Sequence, residues 1–151
     1  MKLSSKTEYA VLALLELGSR FGEGFVLSRQ IAKKRSIPES FLDRILLTLK
    51  NAGIIISVRG ATGGHYLAKK PDELDIRSII ELFEGSLAPS DCVNERISFS
   101  VLCPSGSACV VKNLWQKMYD AMLGSIEDVT LQDLISGEMT IKKVKTKASK
   151  V

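Results

Sequence analysis

From about residue 5 to 20 the apolar positions Tyr9, Val11, Leu12, Leu14 and Leu15 recur at helical spacing, which predicts a first helix. Ser5 with Glu8 fits the S-x-x-E capping box at its start. "RFGEG" then breaks the pattern. In "LSRQIAKKRSI", Leu27, Ile31 and Ala32 share one face and Ser28 lies near the start, so a short second helix is expected. "RSIP" ends it, because the residue before a proline avoids helical angles, and Pro38 suits the first turn of the helix that follows. "PESFLDRILLTLKNAG" sets Phe41, Leu42, Ile45, Leu46 and Leu49 along one face, with Gly53 as its C-terminal cap.

Two short amphipathic helices with a tight break between them predict a helix-turn-helix. "IIISV" and "HYLAKK" read as strands, and the glycine-rich tip "RGATGG" joins them as a hairpin. A hairpin directly after a helix-turn-helix is a wing. "LDIRSIIELFEG" is a further helix, with Asp75 as N-cap, Ile76, Ile79, Ile80 and Phe83 on one face, and Gly85 at its end. Periodicity then stops between 86 and 108, the stretch that holds most of the cysteines, and this reads as a loop with a function. Val111, Leu114, Trp115, Met118 and Met122 form a helical apolar stripe from about 110 to 123, and a last short helix is expected from Thr130.

The pattern predicts a mainly α fold with a small β wing. It divides into a winged helix-turn-helix DNA-binding domain at 1–85, a cysteine-bearing loop at 86–108, a long dimerisation helix with a short C-terminal helix at 109–136, and a basic, disordered tail at 137–151. The Trp115 stripe needs a covering surface, and a second copy of the chain is the economical one, so a homodimer is expected.

Charge sharpens the picture. Between Leu27 and Lys70 there are nine Lys/Arg and two acids, against a net charge of +4 for the 151 residues. A basic block within a folded domain suits a polyanion, because each phosphate neutralised releases counterions. A solvated basic face is the competing reading. No apolar run approaches the roughly 18 residues of a membrane span. The apolar opening is broken by Glu16 and no small-residue cleavage site follows it, so a cytoplasmic protein without a membrane partner is expected.

The candidate DNA-reading residues follow from the motif. Ser28 begins the second helix. Glu39, Ser40, Asp43 and Arg44 face outward near the start of the third, where a helix-turn-helix meets base edges. Arginine favours guanine, and a carboxylate accepts from the cytosine amino group. Arg59 at the wing tip suits an adjacent minor groove, and Gly60, Gly63 and Gly64 allow close approach to a sugar-phosphate backbone. The tip matches neither dinucleotide-binding nor P-loop patterns and leads into no helix. His65, the lone histidine, is expected to be structural.

Cys92, Cys103 and Cys109 are spaced C-x10-C-x5-C. An odd number of cysteines argues against a disulfide framework and for free thiols or metal ligands. A zinc or iron–sulfur site usually takes four ligands, which leaves one position for an outside group.

The helix-turn-helix, "LKNAGIIISVRGATGGHYLAKKPDELDIRSIIELFEG", the cysteine loop and the following helix with its "LW" together resemble the IscR/NsrR/RirA family of winged helix-turn-helix regulators over about residues 1 to 136. The opening "MKLSSKTEYAVLALLEL" belongs to the same likeness. The resemblance implies a cytoplasmic homodimer on palindromic, double-stranded promoter DNA. Its contacts carry over to Ser40, Asp43 and Arg59. It also implies an iron–sulfur cluster, 2Fe-2S or 4Fe-4S, on Cys92, Cys103 and Cys109. The spacing between the first two cysteines is wider here than in the family's loops. The histidine that IscR-like members place three residues after the last cysteine is Lys112 here, and the ligating aspartate of NsrR-like members falls at Glu8. Glu8 is therefore a capping acid, a ligand supplied from the partner subunit, or both in different states.

The expected function is a non-enzymatic transcriptional regulator, a repressor, whose cluster senses iron, redox state or nitric oxide. A thiol switch or zinc site on the same fold is the alternative. A thiol redox enzyme or electron carrier is a third reading, which lacks C-x-x-C and leaves the basic wing unexplained.

Overall fold

The computed structural model describes residues 2–94 and 109–138. Cys103, the centre of the cysteine loop and most of the basic tail lie outside them.

Helix α1 spans Ser5–Ser19. Its N-cap is Ser4, whose hydroxyl accepts from the Thr7 N–H at 3.4 Å. This corrects the Ser5–Glu8 capping box. The acid that completes the cap comes from the other end of the domain: Glu84 accepts from the Ser4 N–H and the Ser4 hydroxyl, both at 2.8 Å, and from the Thr7 hydroxyl. Glu8 is left exposed.

Helices α2 (Ser28–Arg35) and α3 (Glu39–Asn51) form the helix-turn-helix. The break between them differs from the expected one. Helix α2 stops because Ser36 adopts the left-handed conformation at φ 53°, and the Ile37 N–H reaches back to the Ala32 carbonyl at 3.0 Å. Ile37 is then buried, and Pro38 is the N-cap of α3 rather than a residue of its first turn. Leu42, Ile45, Leu46 and Leu49 bury the inner face of α3 as the spacing predicts. Phe41 does not join them. It is 44% exposed and meets Tyr9 of α1 edge to face.

Strands β1 (Ile55–Val58) and β2 (Gly64–Leu67) pair antiparallel, with Ile55 opposite Leu67 and Val58 opposite Gly64. Val26, just before α2, adds a third rung by exchanging two backbone hydrogen bonds with His65, each 2.9 Å. Helix α4 (Ile76–Glu84) starts at Asp75, whose carboxylate accepts from the Ser78 N–H at 2.9 Å as a helix N-cap does.

Helix α5 (Val110–Ile126) is long and buries only Tyr119. Helix α6 (Leu131–Ser136) returns to the winged core. The Leu131 N–H bonds the Leu74 carbonyl and the Ile76 N–H bonds the Val129 carbonyl, both at 2.9 Å. Leu131 packs fully buried on α1, so closely that a Cβ at Gly18 would lie 2.6 Å from the Ile135 Cδ1. Gly18 is thus a contact point between helices. The core it helps close runs from Ala10, Ala13 and Leu14 through Ile31, Leu42 and Leu49 to Ile79 and Leu131.

Candidate nucleic-acid interface

The inner face of α3 is locked by four buried aliphatic side chains, which fixes what the outer face presents. Glu39, Ser40, Asp43 and Arg44 are all exposed over its first turns. The amino end of the helix carries partial positive charge, which favours nearby phosphates. Exposed donors and acceptors on a rigid helix start are the equipment for reading base edges in a major groove.

Arg59 follows β1 directly and is exposed at the wing tip. The tip closes through a hydrogen bond from the Gly63 N–H to the Gly60 carbonyl, 3.1 Å long. Two of its glycines have reasons inside the molecule. A Cβ at Gly63 would collide with the Val58 carbonyl, and one at Gly64, where φ is +151°, would sit 2.8 Å from the Val26 carbonyl. Gly60, at φ +117°, has open space around it.

His65 joins the two parts of this surface. One ring nitrogen, Nε2, lies 2.8 Å from the hydroxyl of Ser28, the first residue of α2. The other, Nδ1, lies 2.8 Å from the hydroxyl of Ser57 on β1. Burial pulls the His65 pKa below its ordinary value, with Asp43 opposing and Lys50 assisting. A neutral imidazole with one donor and one acceptor matches two hydroxyls that can play either part. Sequence reasoning assigned this histidine a structural part without finding its partners. The signal was available in the hairpin register, which sets Ser57 directly opposite His65.

The basic block divides in the folded chain. Glu16, fully buried in α1, takes Lys34 Nζ at 3.0 Å and Arg20 Nε at 3.1 Å on one oxygen, and Arg35 Nη2 at 3.2 Å on the other. Lys34 and Arg35 therefore tie α2 to α1. Arg29, Lys33, Arg44, Lys50 and Arg59 stay exposed.

Cys92 sits half-buried in a single 3-10 turn, Asp91–Val93, with Sγ 3.3 Å from the Ser90 hydroxyl. That turn packs on α5. Cys109, also free and half-buried, is the N-cap of α5. Among the described residues no three His, Cys, Asp or Glu side chains gather into a metal-binding group. The donor chemistry is nonetheless that of a thiolate site: two free cysteines border the segment that contains the third, and thiolates suit iron–sulfur clusters and zinc.

A helix-turn-helix with an exposed start to its second helix, followed at once by a two-stranded wing, defines a winged-helix DNA-binding regulator. The sequence profile of Rrf2, described as "Iron-dependent Transcriptional regulator", matches residues 3–137. The chain belongs to the Rrf2 family of transcription regulators and is not an enzyme. It is 30% identical over 136 residues to the HTH-type transcriptional regulator CymR of Bacillus subtilis, covering 90% of this chain and 91% of that one. The solved structure of CymR (YrzC), the global cysteine regulator of B. subtilis, is similar at a TM-score of 0.73 and 31% identity, over 91% of this chain and 98% of that one. That of T. potens IscR is similar at a TM-score of 0.72 and 30% identity, over 91% and 88%. The expected mainly α fold with a β wing is the observed one. Among the described residues no helix is long and apolar enough to cross a membrane.

Proposed function

We propose that the chain is a cytoplasmic repressor that binds palindromic promoter DNA as a homodimer and takes its signal through Cys92, Cys103 and Cys109. The observation that carries the DNA reading is the His65 link between Ser28 and Ser57, which holds wing and helix-turn-helix as one surface. On that surface Ser40, Asp43 and Arg44 of α3 meet base edges, Glu39 lines the same groove, and Ser28 reaches a phosphate. Arg59 enters the flanking minor groove. The exposed apolar side of α5 meets its copy in a second subunit.

An iron–sulfur cluster on the three thiolates, with Glu8 of the partner subunit as a further ligand, is the favoured form of the sensor. Glu8 suits that part because Glu84 has taken over the cap and leaves it exposed. A bound cluster would supply a group whose gain, loss or oxidation alters the relation between two subunits. The protein's own contribution is geometric, since the spacing of two recognition helices selects the operator half-sites. A second reading, a cysteine thiol switch or zinc site without a cluster, draws support from the likeness to CymR, whose structure is described as that of a global cysteine regulator.

Anaerobic reconstitution with iron and sulfide, followed by absorbance and DNA binding on the same sample, tests the sensor. Charge-transfer absorbance that depends on the three cysteines and changes operator affinity supports the cluster; its absence with bound zinc, or with thiol-dependent binding, favours the second reading. DNA recognition is tested separately. Arg59→Ala is expected to weaken operator binding by about 1–3 kcal/mol. An unchanged affinity removes the wing from the interface.

A further inference from the structure

We propose that the cavity at the base of the wing is a binding site for a small aromatic anion. The cavity is an open cleft of about 520 Å³, within the range of sites that hold one- or two-ring molecules. It opens between the end of α1, the loop that leads to α2, and the exit of β2.

Its walls are aromatic. Phe25 and Tyr66 meet edge to face at 5.1 Å, and Phe21 stands on the same wall. Phe21 is 46% exposed and Phe25 45%. Neither has been drawn into the core, although the core lies immediately beneath at Leu17 and Leu67. A planar apolar body seated there would remove both phenylalanines from water.

Its rim is cationic. Lys69 and Lys70 are exposed, and among the described residues neither ammonium group has an ion pair. Arg20 contributes a third cation, with its Nε held by Glu16. The acid on the same wall, Glu73, is engaged by the Lys70 N–H at 3.0 Å. The aromatic walls suit a flat ring system, and the positive rim selects one that carries a carboxylate or sulfonate over a neutral or cationic one.

The position gives such a ligand a lever on the interface. Phe25 immediately precedes Val26, and Tyr66 immediately follows His65. Val26 and His65 form the backbone bridge that joins the wing to the approach to α2. A ligand gripped by Phe25 and Tyr66 holds both sides of that bridge, so occupancy biases the angle between wing and helix-turn-helix. The site needs none of the cysteines.

The test uses the full-length protein and 2-naphthoate as probe, with 2-naphthalenemethanol as its neutral counterpart. Binding is read by calorimetry and by ligand-observed NMR, so the result does not depend on the DNA reading. One saturable naphthoate site per chain is expected. The alcohol should bind about tenfold or more weakly, as the loss of a charge interaction of about 1.4 kcal/mol requires. The double variant Lys69→Gln/Lys70→Gln should lose the preference for the anion, while Lys117→Gln on α5 leaves it intact. Melting curves show whether each variant is folded. If naphthoate fails to saturate, if the alcohol binds equally well, or if the folded double variant keeps the preference for the anion, the proposal is wrong.

Discussion

The hydroxyl of Ser28 lies 2.8 Å from Nε2 of His65, so the first residue of α2 is fastened to the middle of the wing. With Ser57 on the other ring nitrogen, one side chain joins three elements, α2, β1 and β2. Replacing it with alanine removes two hydrogen bonds and leaves hydroxyls that turn to water, a loss of about 1–2 kcal/mol in stability. The larger expected effect is on DNA, because the wing loses its fixed angle. His65→Ala should weaken operator binding even though both ring nitrogens are engaged within the protein, by Ser28 and Ser57. Equal affinity of the variant and the parent, measured by anisotropy, would remove His65 from this role.

The same histidine sets a pH dependence. Burial holds its folded pKa below the value of 6.5 that it has when unfolded, so the native chain takes up the proton less readily. Stability from the neutral ring is complete above the unfolded value and is lost as pH falls through the folded one. Melting temperature should therefore decline below about pH 6.5 more steeply in the parent than in His65→Gln. Parallel curves for the two proteins would refute this.

Glu84 acts lower on the pH scale and in the same direction. The Thr7 hydroxyl first, then the Ser4 N–H and hydroxyl, hold its carboxyl below the ordinary value of 4.5, against a smaller opposing effect of burial. Its contribution is present above the unfolded pKa and lost as pH falls through the lower, folded one. Glu84→Ala should cost about 1–2 kcal/mol at pH 7, since three donors at the start of α1 lose a charged acceptor. The gap between variant and parent should close as the solution is taken below pH 4. Denaturant titrations at the two pH values check both statements.

These links explain which parts of the fold could be read from the chain and which could not. Local signals were sufficient for α3, α4 and the hairpin, because aliphatic spacing, the Asp75 cap and the glycine tip each act over a few residues. The cap on α1 was not legible, since Ser4 and Glu84 are 80 residues apart. Glu16 reads as an interruption of an apolar stretch, yet it is fully buried and joined to α2. The purpose of Gly18 is visible only once α6 lies against it. Phe41 fails for a different reason. It stands at the edge of the α3 stripe, where an aromatic ring can lie across Tyr9 without entering the core. In the candidate site, the exposed start of α3 and the wing tip were legible as positions. The His65 link that joins them depends on strand register.

Glu16 gives a sharper stability prediction. Removing one member of a buried ion cluster costs about 3–5 kcal/mol when the remaining charge stays buried. Here the Lys34 side chain is 55% exposed and the Arg20 side chain 35%, so both can rehydrate, while Arg35 at 24% is more enclosed. Glu16→Ala is expected to cost about 3 kcal/mol, near the low end of that range. It should also loosen α2 relative to α1, visible as faster amide exchange at Ile31 and Ala32. A loss below about 1 kcal/mol would place Glu16 with ordinary surface pairs.

Helix α5 supplies the test of assembly. Val110 is 79% exposed, Val111 54%, Leu114 53% and Met118 49%, an apolar run along a helix that buries only Tyr119. None of these residues belongs to the core cluster that closes the winged domain. Charge placed on this face should therefore leave the domain folded and prevent a second copy from covering it. Leu114→Asp with Met118→Asp is expected to sediment as a single chain of 16.5 kDa, and the parent at twice that mass. Its affinity for a two-half-site operator should fall by about 100-fold or more, because each half-site is then bound alone. Binding to an isolated half-site should stay close to that of the parent, since α3 and the wing are untouched. A double variant that remains a dimer would move the subunit contact away from α5.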